Sequence, residues 1–192
     1  MAVAAVVFDV GETLVDESRN FERVADACGV PRFTLMALVG AMIARGEPHR
    51  RALDLLGVEV PPWGFRSDEL YPDALPCLRT MRDRGYVVGA AGNMAKVHEE
   101  LFRGEVDVLT SSERLGVEKP SPAFFERVAE EVGRPFGEIA YVGDRVDNDV
   151  EPALAAGMVA VHVRRGPWGH LQEPPQAAVR IGSLAELPEA LA

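Results

Sequence analysis

Four charged side chains occupy local settings from which chemistry can be built. Asp9 ends an apolar run and is followed closely by Gly11; Lys119 precedes Pro120; Asp144 follows Gly143; Asp149 lies a turn further on. Asp9 and Asp144 together would hold a hard divalent cation, since Mg²⁺ typically takes one or two carboxylates, waters and a substrate phosphate. Lys119 would offset the clustered negative charge and hold a phosphoryl oxygen. Each residue also has an ordinary reading. An Asp near Gly commonly shapes a turn, a lone lysine is usually solvated, and Asp144 and Asp149 are both suited to capping a helix. For Asp149 the capping and metal-binding readings stand nearly even. The chemical reading requires that these residues, distant in sequence, meet at one place.

The elements that must position them are legible. Residues 4–14 read Ala-Ala-Val-Val-Phe-Asp-Val-Gly-Glu-Thr-Leu, the unbroken apolar run of a strand buried on both faces. Such strands form parallel sheets that bind ligands beyond their carboxyl ends, which is where Asp9 falls. Residues 16–68 turn helical: apolar repeats over 21–28, 33–44 and 50–56 stop near Gly29, Gly46 and Gly57. A loop over 58–67, with Pro61, Pro62 and Trp63, returns to the main body. From Tyr71 the α/β alternation begins. Strands are expected at 86–91, 106–110, 139–142, 159–163 and 179–181. Helices are expected at 74–84, 95–103, 122–132, 149–156 and 184–191, and residues 164–175 read as a surface loop. The expectation is a doubly wound parallel sheet of the α/β class, residues 1–15 and 69–192, with a small helical insertion at 16–68. Gly92-Asn93, Lys119-Pro120 and Asp144–Asp149 all follow strands, so a parallel sheet brings them to the edge where Asp9 lies.

Composition limits the alternatives. A length of 192 residues suits one domain plus a modest insertion. The net charge of −10 argues against nucleic acid or an anionic membrane as partner. Cys28 and Cys77 sit in apolar helical contexts without metal-ligand spacing, as buried thiols do in a reducing compartment. No signal peptide or membrane-length apolar run is visible, so a cytoplasmic protein is expected. His49, His98, His162 and His170 are too scattered for a metal or triad role. Trp63, Trp168, Met36 and Met42 read as packing residues, with Trp168 also placed to line an entrance. Arg145 is expected to pair with local acids, and Asp147 to face solvent.

Phe-Asp-Val-Gly-Glu-Thr-Leu, Gly-Asn, Gly-Val-Glu-Lys-Pro-Ser-Pro and Val-Gly-Asp-Arg-Val-Asp-Asn-Asp, in this order, resemble the four motifs of the haloacid dehalogenase (HAD) superfamily. The resemblance runs from Val6 to about Gly166 and implies a Rossmann-like core, with the helical insertion as a small cap. It implies that Asp9 is the nucleophile accepting a phosphoryl group from a small phosphorylated molecule. Asp9, the Gly11 carbonyl and Asp144 would bind Mg²⁺, with Asp149 acting directly or from behind. Lys119 would bridge nucleophile and phosphate, and backbone amides around Val10, Gly11, Gly92 and Asn93 would cradle the phosphate.

Two positions depart from that pattern. The family's phosphatases carry a second Asp, the general acid and base, where this chain has Gly11, and Ser or Thr where it has Gly92. A general acid or base contributes ~10²–10⁴ in rate. The resemblance therefore implies slow phosphatase activity, favouring leaving groups that need little protonation. Glu12 is the neighbouring candidate to replace the acid, although its side chain should leave the backbone in another direction. Two other functions stay open: a catalytically degenerate phosphate-binding or interaction protein, and a metal-free 2-haloacid dehalogenase.

Overall fold

The computed structural model describes residues 2–59 and 64–192, so Pro61, Pro62 and Trp63 lie outside the described residues. Six strands, β1 (Ala5–Phe8), β2 (Val87–Gly92), β3 (Val108–Ser111), β4 (Ile139–Gly143), β5 (Val159–Val163) and β6 (Val179–Ile181), form one sheet. Its order is β3-β2-β1-β4-β5-β6 and every neighbouring pair is parallel. This is the doubly wound α/β sheet expected. β1 lies inside it, between β2 and β4, where connections leave in opposite directions and a crevice opens at the carboxyl edge.

Both faces are covered, which is why β1 is apolar without alternation. Val6 and Phe8 face a cluster completed by Ala74, Cys77, Leu78 and Met81 of α4 (Ala74–Asp83). Ala5 and Val7 face the opposite cluster, with Phe124, Phe125, Val128 and Val132 of α6 (Pro122–Val132). In each helix the buried residues recur at helical spacing, forming one apolar stripe against the sheet.

Between β1 and β2 the chain forms three helices, α1 (Ser18–Ala27), α2 (Arg32–Ala44) and α3 (Arg51–Leu56). They share a separate apolar cluster that includes Phe21, Val24, Leu35, Val39, Ile43 and Leu53. Trp168, from α8 (Gly166–Leu171), joins that cluster and ties these helices to the sheet. The two crossings between helices and sheet run side by side. The Asp16 amide donates to the Glu69 carbonyl at 2.8 Å, and the Tyr71 amide to the Leu14 carbonyl at 2.9 Å.

Some local expectations need correction. Residues 164–175, expected as a loop, contain α8, whose Gly-Pro start hides a helix anchored by buried Trp168. The segment expected as a helix over 95–103 is a 3₁₀ helix, Lys96–Phe102. A short α5 (Ser112–Leu115) was not expected; the Ser111 hydroxyl caps it by accepting from the Arg114 amide. The helix expected from Asp149 starts as a wide π turn, Val146–Val150, and becomes α7 (Glu151–Ala156). The closing helix at 184–191 divides into a 3₁₀ turn, Leu184–Glu186, and α9 (Leu187–Ala190). Among the described residues no single helix is long and apolar enough to cross a membrane.

Candidate active site

Asp9 directly follows β1, and its amide donates to the Val142 carbonyl at 2.8 Å. The β1–β4 ladder therefore extends through the residue and fixes its backbone. Lys119 lies in the loop before α6, where the Lys119–Pro120 peptide is cis. Asn93, just past β2, holds that loop with a reciprocal pair: its Nδ2 donates to the Lys119 carbonyl at 2.9 Å and its Oδ1 accepts from the Lys119 amide at 2.8 Å. The sequence reading assigned Asn93 only a backbone role, yet its side chain locks the lysine in register with the sheet edge.

So held, the Lys119 ammonium donates to Asp9 Oδ1 at 2.6 Å and to Asp149 Oδ1 at 2.5 Å. It is fully enclosed and also lies 5.4 Å from the Tyr141 ring centre. Burial opposes its charge, but the carboxylates of Asp149 and Asp9 outweigh burial and hold its pKa well above the usual value. Asp149 shares this one cation with Asp9. Burial pushes its pKa up and Lys119 pulls it down, while the Asp9 charge adds to the rise, leaving it at about 6. Its other oxygen accepts from the Arg145 amide at 3.0 Å. The π turn aims Asp149 inward, and Gly143 makes room for it: a Cβ on Gly143 would lie 2.4 Å from Asp149 Cγ. Gly143→Ala should therefore eject Asp149 from behind Lys119. The expected cost is ~1–3 kcal/mol of stability for overpacking with at least a tenfold fall in kcat/KM, checked by thermal unfolding and steady-state kinetics.

Asp144 differs from both. It is buried and neither oxygen has a hydrogen-bond partner. Its pKa is raised well above the usual carboxylate value, first by burial and then by Asp149 and Asp9, with smaller contributions from Glu12 and Glu17. A buried carboxylate without a donor is costly and calls for a cation. Asp9, Asp144 and Asp149 offer oxygens all within 4.8 Å of one another. Hard oxygen donors so arranged fit a divalent ion. Asp149, with both oxygens bound to protein donors, is better placed to position Lys119 than to ligate.

These groups floor a cavity of about 740 Å³, within the usual range for small-molecule sites. Its walls are Phe21, Val24, Leu35, Val39 and Ile43 from α1 and α2, with Trp168 from α8. At its rim Arg145 pairs with exposed Asp147 at 2.7 Å and lies 5.1 Å from the Trp168 ring. The pairing of Arg145 and the exposure of Asp147 are as expected. Of the four histidines, His162 and His170 line a separate pocket. His49 lines the candidate site's cavity, edge-on to Trp168 and Phe21 with ring centres 5.3 and 6.4 Å away. Burial, helped by Arg145 and Arg50, pushes its pKa down to about 4. No spacing rule in the sequence pointed to it. His162 lies beneath the site, its Nε2 3.0 Å from the Asp144 carbonyl.

Gly92 lies against Asp9, where a Cβ would come within 2.9 Å of Asp9 Oδ1 and 3.3 Å of Val10 Cβ. The missing hydroxyl at 92 thus accompanies a close approach between β2 and Asp9. Glu12, at φ 51, is buried with both oxygens engaged, accepting from the Tyr71 hydroxyl at 2.6 Å and the Glu17 amide at 3.0 Å.

The chain is 39% identical to the glyceraldehyde 3-phosphate phosphatase of Methanopyrus kandleri, over 88% of each chain. Among solved structures it is similar to a HAD-hydrolase of Bacillus subtilis bound to magnesium, with a TM-score of 0.75 at 15% identity over 100% of this chain and 99% of that one. It also resembles L-2-haloacid dehalogenase from Xanthobacter autotrophicus, with a TM-score of 0.68 at 19% identity over 97% of each chain. These structural likenesses concern the fold. The family model for haloacid dehalogenase-like hydrolases matches residues 3–157, and the chain belongs to that family of hydrolases.

Proposed function

We propose that this protein is a Mg²⁺-dependent phosphatase acting on a small phosphorylated molecule through a phosphoryl-Asp9 intermediate. The observation that carries the reading is Asp144, with two buried, unpartnered oxygens in the same cluster as the Asp9–Lys119 pair. A divalent cation would satisfy both of its oxygens. Asp9 and Asp144 would hold the ion, with the Gly11 carbonyl completing the protein ligands and Asp149 supporting from behind. When bound, Mg²⁺ neutralises and orients the phosphoryl oxygens.

The chain's own groups do the rest. Lys119 holds one Asp9 oxygen, leaving the other to attack phosphorus, and offers its ammonium to the phosphoryl group as charge builds. Asn93 keeps Lys119 in place, while backbone amides near Val10, Gly11, Gly92 and Asn93 receive the phosphate. Residues 16–68 act as a small cap over the core formed by 1–15 and 69–192, closing the cavity with an apolar wall that excludes water. Gly11 provides no proton donor. If nothing else did, hydrolysis of alkyl esters would lag ~10²–10⁴ behind that of acyl or aryl phosphates.

The relatives named glyceraldehyde 3-phosphate phosphatase make that three-carbon ester the first substrate to try. The test is a panel of alkyl, aryl and acyl phosphates with Mg²⁺ or with chelator. Mg²⁺-dependent release of inorganic phosphate is expected. A protein that binds Mg²⁺ and phosphate but turns over nothing would be the degenerate binding relative instead.

A further inference from the structure

The position left blank by Gly11 is filled from elsewhere in the chain. A Cβ on Gly11 would lie 3.1 Å from both Cδ and Oε1 of Glu17, and 3.2 Å from Oε2. The carboxylate of Glu17 thus stands where a side chain at position 11 would project. Glu17 lines the cavity together with Asp9 and Gly11. Although it is the residue before α1, its side chain does not cap that helix.

Its placement is built rather than incidental. The Glu17 amide donates to Glu12 Oε1 at 3.0 Å. Glu12 is fixed in turn by the Tyr71 hydroxyl at 2.6 Å. Gly166 leaves the space for it, since a Cβ there would come within 2.5 Å of Glu12 Oε2. On the helix side, the Phe21 amide donates to the Glu17 carbonyl at 3.0 Å. Glu12 is thereby a positioning residue, and Glu17 is held between the strand β1 loop and the first helix.

Resting on the phosphatase reading above, we infer that Glu17 is the acid–base catalyst of this site, replacing a side chain at position 11. In the first step an Asp9 oxygen bonds to phosphorus as the ester P–O bond breaks. The departing alkoxide oxygen takes the proton from Glu17 and leaves as the alcohol. In the second step a water oxygen bonds to phosphorus while Glu17 takes that water's proton. The P–O bond to Asp9 then breaks, releasing inorganic phosphate and restoring the Asp9 carboxylate and protonated Glu17. Each step has one P–O bond formed, one broken and one proton passed.

The test compares wild type with Glu17→Gln and with Gly11→Asp/Glu17→Ala. For Glu17→Gln, alkyl phosphate turnover should fall ~10²–10⁴-fold, while the first-turnover burst of acyl phosphate cleavage, which needs no acid, should fall much less. Phosphorylated Asp9 should accumulate, seen by intact mass as one added phosphoryl group. Mg²⁺ binding by calorimetry should stay within a few-fold of wild type. The double variant, with its acid returned to position 11, should recover a large part of the alkyl phosphate activity. Wild-type rates on alkyl phosphates in Glu17→Gln would overturn the assignment. So would an equal loss on all substrates without adduct accumulation, or a loss of Mg²⁺ binding. Each of these leaves the phosphatase reading standing if wild type is active, whereas a wild type inert to the whole panel defeats that reading itself.

Discussion

Exchanging Lys119 for methionine is expected to destabilise the fold by ~3–5 kcal/mol, the usual cost of removing one partner from a buried ion pair. The lysine is the shared cation of Asp9 and Asp149, and methionine would leave two carboxylates in contact within an enclosed site. The deficit should depend on pH in a defined direction. Asp149 already has its pKa raised to about 6 by burial, against the pull of Lys119. Without that pull it rises further, so the folded variant retains a proton that the unfolded chain releases above about 4. Stability is then present at low pH and lost as pH rises through the folded value. The gap between Lys119→Met and wild type should therefore be small near pH 4 and full near neutrality, in denaturant titrations at several pH values. Adding Asp149→Asn should restore much of the stability and none of the activity.

The second large effect concerns Asp144. In chelator, wild type should lose stability as pH climbs above the ordinary carboxylate range, because Asp144 keeps its proton in the fold and releases it when unfolded. Asp144→Asn removes that dependence and should be at least as stable as wild type at neutral pH, since the cost of holding Asp144 protonated there is gone. Mg²⁺ reverses the comparison. A ligand at a hundred times its Kd adds ~2.7 kcal/mol to the state that binds it, so wild type should gain stability in Mg²⁺ and Asp144→Asn should not. Thermal melts across a Mg²⁺ series read both effects.

The sheet was legible because its strands are short apolar runs buried on both faces, a pattern that periodicity reports directly. Ala5–Phe8 and Ile139–Gly143 gave themselves away, and with them the edge where Asp9 and Asp144 gather. Helix α8 did not, because Gly-Pro-Trp-Gly reads as a turn until Trp168 finds its cluster under the helices. The side-chain clamp from Asn93 to the Lys119 backbone was equally hidden, being set by how two loops meet in space. Glu17 shows the limit most clearly. Gly11 looked like a lost function because sequence spacing counts residues along the chain, and the carboxylate that stands beside it arrives from the far side of a turn. Glu12, the neighbouring candidate whose side chain was expected to leave in another direction, has both oxygens engaged by Tyr71 and Glu17.

In the proposed reaction Asp9 takes a phosphoryl group while Lys119 steadies it and Asp144 holds the cation. Its most direct test is intact-mass analysis of protein mixed with an acyl phosphate and Mg²⁺ and quenched in acid during turnover. The predicted result is a fraction carrying one phosphoryl group, mapped by peptide analysis to Asp9 and lost in Asp9→Asn and in chelator. Phosphate release that continues in Asp9→Asn, or with no adduct on Asp9 at any quench time, would contradict it.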